Sequence, residues 1–217
     1  MRQQLVKVRT AQSNALRGLL MEYGEVFPQG RASLARGLAA ALERLEQRLP
    51  RVVVESLRDL WQRVIEIDGQ IKQIERRLNS LLAEDRNALR ILQMPGVGML
   101  TATAVSATIG QASAFKSGRE FAAWLGLVPA HTGTGGKTRM LGISKRGDSY
   151  VRTLLIHGAR SVFTSTKNPG PWLQKISQRR PLNVAVVALA NKMARTIWAL
   201  LAHGRTYQPD YVSQAST

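Results

Sequence analysis

Eight apolar residues, Leu57, Leu60, Val64, Ile67, Ile71, Ile74, Leu78 and Leu81, are separated by alternating steps of three and four, and this run constrains the fold more than any other feature. That spacing lines one side of an α-helix with a continuous apolar stripe, whereas a strand would need a step of two. Upstream, Leu38, Leu42, Leu45, Leu49 and Val52 repeat the spacing, and Pro50 falls where one helix should stop and the next begin. The two segments are expected to pair as a hairpin or to lie against a second chain. A dimerising coiled coil and an amphipathic helix of an ordinary bundle satisfy the pattern equally.

Helical periodicity continues on both sides, so the fold is expected to be mainly α. "QLVKVRTAQSNALRGLLMEYG" reads as a helix ending at Gly24, and "MPGVGMLTATAVSATIG" as a tight turn between apolar helices. Ser117 is placed to cap "GREFAAWLGL". Two further helices are expected from about 148 to 164 and from about 182 to 202. The organisation predicted is a coiled-coil helical region over 1–92, a compact helical domain over 93–205 and a polar tail over 206–217.

The charge balance bears on partners. Lys and Arg number 31 against 14 Asp and Glu, a formal net charge of +17, and the expected counterpart of such a surface is a nucleic-acid backbone. The excess lies late in the chain, where only Glu120, Asp148 and Asp210 follow residue 92. Divalent-metal sites of nucleases are built from converging carboxylates, so this distribution argues against such a site. Absence of cysteine excludes disulfides, zinc ribbons and thiol catalysis. The start, "MRQQLVKVRTAQ", has no apolar leader, and Asn191, Lys192 and Arg195 interrupt the most apolar late stretch, which reads as too polar to span a bilayer. A soluble, cytoplasmic protein with no membrane partner is expected.

The segment "HTGTGGKTRMLGISKRGDSY" resembles a phosphate-binding P-loop, but the first glycine of that pattern would fall on His131, and no strand-to-helix context surrounds it. It gathers Lys137, Arg139, Lys145 and Arg146 among glycines, with Arg152 just beyond it, a composition that lets backbone approach a sugar-phosphate chain while cations neutralise it. Among its hydroxyls, Thr132, Thr134 and Ser144 are candidates for phosphate contact. A hydroxyl among cations also has the chemistry of a nucleophile toward phosphorus, although only His131 and His157 offer themselves as bases. Earlier, Pro95, Gly96 and Gly98 set free amides at the start of a helix, where an anion is favoured, with Thr101 in the first turn beyond. This turn resembles the helix-hairpin-helix of nonspecific DNA-binding proteins.

Taken in order, "MPGVGMLTATAVSATIG", "FKSGREFAAWLGLVPAHTGTGGKTRMLGISKRGDSYVRTLLIHGARSV" and "NVAVVALANKMARTIWALL" resemble the C-terminal transposase domain of the insertion-sequence 110 family, in the branch named after insertion sequence 1111. The resemblance implies a DNA recombinase of a mobile element, guided by a bridge RNA and assembled as a homo-oligomer through its coiled coil, in the bacterial cytoplasm at the nucleoid. It further implies a carboxylate domain holding Mg²⁺, which this sequence lacks, so no metal and no cofactor are expected here. A serine nucleophile is implied in the loop, where this chain has Gly133, leaving Thr134 or Thr132 as substitutes. Nucleic-acid contacts are expected from Gly96, Gly98, Thr101, Lys137, Arg139, Ser144, Lys145, Arg146 and Arg152. The alternative expectation is a truncated, catalytically inactive nucleic-acid-binding module.

Overall fold

The computed structural model describes residues 1–135, 137–167 and 169–209, except for the side chains of Thr134 and Thr138. The chain divides into two compact units, Met1–Arg77 and the remainder from Leu78.

The first unit holds α1 (Arg2–Glu22), α2 (Arg31–Glu46) and most of α3 (Arg51–Glu84). Leu16 and Leu20 of α1, Leu34, Leu38, Leu42 and Leu45 of α2, and Val54 and Leu57 of α3 form one buried cluster. The heptad-like stripes therefore close on each other within the chain, as in a bundle. Ion pairs fix the antiparallel run of α1 along α3: Arg2 donates to Glu75 at 2.8 and 2.5 Å, and Arg9 to Asp68 at 2.6 Å. Burial pushes the Asp68 carboxyl up, but hydrogen bonds from Arg9 and Lys72 and the charge of Arg31 bring it below its ordinary range. Leu81, the last member of the stripe, is exposed.

The second unit is built around α9 (Leu182–Ala202), which packs against α4 (Arg86–Leu92), α6 (Gly118–Trp124) and α7 (Ser149–Ser165). By length and composition α9 is apolar enough to cross a membrane, contrary to the expectation drawn from its polar residues. Its composition is accounted for by packing: Val186, Ala190, Ala194 and Ile197 are fully or almost fully buried in the core. Around it lie α5 (Met99–Ile109), α8 (Pro171–Arg179) and an antiparallel pair, β1 (Pro129–Thr134) and β2 (Lys137–Ile143). Ser117 caps α6 by accepting from the Glu120 amide at 3.3 Å, while the Glu120 carboxylate accepts from the Lys116 amide at 2.6 Å. This is a reciprocal arrangement akin to a capping box.

Asp85 joins α4 to α5. Its carboxylate accepts from the amides of Asn87 and Ala88 at 2.9 and 3.0 Å and from the Ser106 hydroxyl at 2.5 Å. Burial raises its pKa, but those three bonds together hold it below the ordinary carboxylate range. Asp85→Ala is expected to cost about 2 kcal/mol at neutral pH, from the lost cap and the stranded hydroxyl. Because the folded-state pKa is depressed, the carboxylate's contribution is complete above the unfolded-state pKa and disappears as pH falls through the folded value. Urea melts of the two proteins should therefore differ at pH 7, and part of the difference should disappear as pH falls through the lowered folded-state pKa of Asp85.

Candidate nucleic-acid interface

The segment from 129 to 143 folds as a two-stranded arm. Gly135, at φ +59°, sits in the connection, and the register pairs His131 with Met140, Thr132 with Arg139, Gly133 with Thr138 and Thr134 with Lys137. Partners across an antiparallel ladder share a face and neighbours along a strand alternate, so Thr132, Lys137 and Arg139 lie on one face and His131 and Met140 on the other. His131 is thereby directed away from the Thr132 face. The arm stands out from the core: His131, Thr132, Lys137, Arg139, Met140 and Leu141 are all exposed, Met140 to 65%. The side chain of Thr134 lies outside the described residues.

At the base of the arm the chain is held tightly. The Ser144 amide donates to Val128 at 2.9 Å and the Lys145 amide to Gly126 at 3.2 Å. Gly147, at φ +79°, lies so close to the Trp124 carbonyl that a Cβ there would overlap it. Lys145 takes φ +56°, a left-handed conformation unfavourable to a residue with a Cβ, and it is exposed together with Arg146. Ser144 is half-buried. Asp148 caps α7, accepting from the amides of Tyr150 and Val151 at 2.7 and 3.0 Å, so the anion at this helix start comes from the chain itself. Lys137, Arg139, Lys145 and Arg146 have no acidic partner among the described residues.

Two residues grouped by sequence with the nucleic-acid contacts are placed elsewhere. Arg152 is buried on α7, where its Nη1 donates to the carbonyls of Leu125 at 2.9 Å and Arg146 at 3.0 Å. Its spacing from the loop cations is right, but the helix turns it inward to pin the base of the arm. Arg152→Ala is expected to destabilise the fold by about 2–3 kcal/mol through two stranded carbonyls. A direct phosphate contact would instead lower the salt slope of binding by about 0.9 with stability unchanged. Thr101 is likewise buried, 5% exposed, in the first turn of α5.

The turn before α5 offers backbone rather than side chains. Gly98 is exposed and is the N-cap of α5, with no side-chain hydrogen bond satisfying the first amides. Gly96, at φ +80°, is half-buried and faces the Gly158 carbonyl of α7. No group of three or more His, Asp or Glu side chains suited to a metal ion occurs among the described residues.

Sequence reasoning missed the arm and α8. The arm was signalled by Thr132 and Thr134 alternating with glycine before Gly135-Gly136 and by Thr138 beyond it, a short hairpin pattern that a phosphate-loop reading obscures.

Residues 88–177 match the model of the transposase IS116/IS110/IS902 family. The chain is 44% identical over 213 residues to a "Probable family 20 transposase" of Pseudomonas aeruginosa, covering 96% of this chain and 63% of that protein. It is 40% identical over 215 residues to the transposase for insertion sequence element IS1111A of Coxiella burnetii, covering 95% and 58%. To the transposase for insertion sequence element IS1328 of Yersinia enterocolitica it is 37% identical over 210 residues, covering 95% and 62%. The chain thus spans roughly three-fifths of the length of these curated relatives.

Proposed function

The chain belongs to the IS116/IS110/IS902 transposase family, and from that premise we propose that its second unit grips the DNA of an insertion sequence during transposition, with the β1–β2 arm as the principal contact. The observation that carries this is the arm itself, an exposed hairpin with Lys137 and Arg139 on one face and Lys145 and Arg146 at its base, all without acidic partners among the described residues. A two-stranded ribbon is narrow enough for a major groove, and its cations can replace the counterions condensed on the phosphates. The left-handed Lys145 fits this role, since backbone strain of this kind gathers at functional sites. Ser144 and the amides at Gly98, with Gly96 shaping their turn, add backbone-positioning contacts that carry no sequence information. Sequence choice is then left to a guide RNA, which we include as the second nucleic-acid partner.

In the strand-exchange step, the hydroxyl oxygen of Thr134 or Thr132 forms a bond to the scissile phosphorus while the bond from phosphorus to the departing DNA oxygen breaks. The threonine proton passes through solvent to that oxygen, and the phosphodiester is conserved as a protein–DNA ester. Lys137 and Arg139 stabilise the added charge on the phosphoryl oxygens. A second reading, binding without chemistry, is favoured by Gly133 at the position expected to hold a hydroxyl and by the placement of His131 on the opposite face. Homo-oligomerisation belongs to the same proposal, with Ile65 and Leu81 of α3 exposed for a second copy.

The test is a titration of the chain with element-end DNA, and with RNA from the element's flanking noncoding region, at two salt concentrations, followed by a denaturing gel. Tight, salt-dependent DNA binding supports the grip. A covalent adduct lost in Thr134→Ala or Thr132→Ala supports the chemistry, and binding without an adduct selects the second reading. Equal, weak binding to every polyanion contradicts the whole.

A further inference from the structure

A second cationic surface lies away from the arm in sequence, on α8. Between Asp148 and Asp210 the chain has no acidic residue, so the cations of α8 and its flank have no acid nearby in sequence to neutralise them. The helix has no buried residue. Trp172, Leu173 and Ile176 fall on one side by helical spacing, and Leu173 and Ile176 are half-buried, with Leu173 packed against the core. Lys175 and Arg179, four residues apart, share one flank of the helix, with Arg179 beside Trp172 seven residues earlier, and Arg180 follows at the C-cap. All three cations are exposed, and none has an ion pair among the described residues.

The helix is pinned in place as well as charged. The Lys192 ammonium of α9 sits 4.6 Å from the centre of the Trp172 ring, a cation–π contact that ties α8 to α9. Desolvation by burial, and after it the charge of the neighbouring Arg195, lower the Lys192 pKa. A nine-residue helix is about 13 Å long at 1.5 Å per residue, enough to follow a few phosphates of one strand. Unpaired cations on a fixed, short helix with glutamine between them are complementary to a regular polyanion, and positive charge without acids is the footprint of nucleic-acid binding.

We propose that the exposed cationic flank of α8, with Lys175, Arg179 and Arg180, is a second docking surface for the phosphate backbone of duplex DNA, separate from the β1–β2 arm. The inference rests on the reading that this unit binds nucleic acid, but not on the role given to the arm. Two separated contacts would hold a longer stretch of duplex than the arm alone and fix its direction across the unit.

The experiment compares the full chain, the variant Lys175→Gln/Arg179→Gln/Arg180→Gln and the arm variant Lys137→Ala/Arg139→Ala on a duplex of about 30 base pairs over a range of salt, with helicity checked by circular dichroism. The α8 variant is expected to lose about 2.7 from the salt slope and on the order of 10²-fold in affinity at 0.1 M salt, since each phosphate contact contributes about 0.9. Combining the two variants should give the product of their losses. Affinity and slope equal to the wild type in the α8 variant overturn the inference, whatever the arm variant does. A loss in the α8 variant beside an unaffected arm variant upholds it and sinks the arm's role instead. Should the triple variant lose helicity, Arg179→Gln alone must still lower the slope by about 0.9. An equal loss on single-stranded RNA of the same length overturns the choice of duplex DNA.

Discussion

Replacing Lys137, Arg139, Lys145 and Arg146 together with alanine will reduce binding to element-end DNA by on the order of 10³-fold at 0.1 M salt and lower the salt slope by about 3.6. All four side chains are exposed and have no ion pair among the described residues, so their removal strands no buried partner there and is expected to leave the fold intact. The affinity lost is therefore electrostatic and should vanish as salt approaches 1 M, where released counterions no longer contribute. Loss of affinity with an unchanged slope would mean that the cations shape the arm instead of meeting phosphates. A fluorescence-anisotropy titration at four salt concentrations separates the two.

A large effect on stability is expected at Gly96. Its φ of +80° is a region that side chains rarely adopt, and a Cβ there would lie 2.6 Å from the Gly158 carbonyl and 2.7 Å from Val162 Cγ2. Strain contributes about 1–2 kcal/mol and overpacking a further 1–3 kcal/mol, so Gly96→Ala should cost about 3 kcal/mol or more. The obstacle is a helix carbonyl, which cannot rotate aside as a flexible side chain would. Gly158 is the reciprocal half of the contact, since a Cβ there would overlap the Gly96 carbonyl. Urea melts should show the loss in each single variant and less than the sum in the double variant, because one close approach is removed once. Full additivity would show that the two glycines act independently.

These two predictions draw on different levels of structure, and the same division decides what the sequence revealed. The expected bounds of α7 and α9 lie within a residue of those found, because apolar spacing and end residues are local signals. The Ser117 cap was legible for the same reason. Local patterns could not show that Gly96 meets Gly158, a contact between segments 62 residues apart in sequence. Nor could they show that Arg152 turns inward while Arg146, six residues earlier, stays exposed. The seam from Leu57 was legible as a helix stripe, but its partner was not, since a leucine stripe on α1, on α2 or on a second chain would meet it equally well. The arm escaped because glycine-rich strands have weak β signals, and α8 because nine residues are too few for periodicity to accumulate.

The central claim, that the β1–β2 arm meets DNA, is tested most directly by hydrogen exchange of the full chain with and without saturating element-end duplex. Amides of 131–133, 137 and 139–142 stand in an exposed two-stranded ladder and should exchange quickly in the free protein. DNA contact predicts that they slow by at least an order of magnitude on saturation, while amides in the α2 core at Leu38 and Leu42 do not change. Arm amides exchanging at the same rate in the free and saturated protein would contradict it.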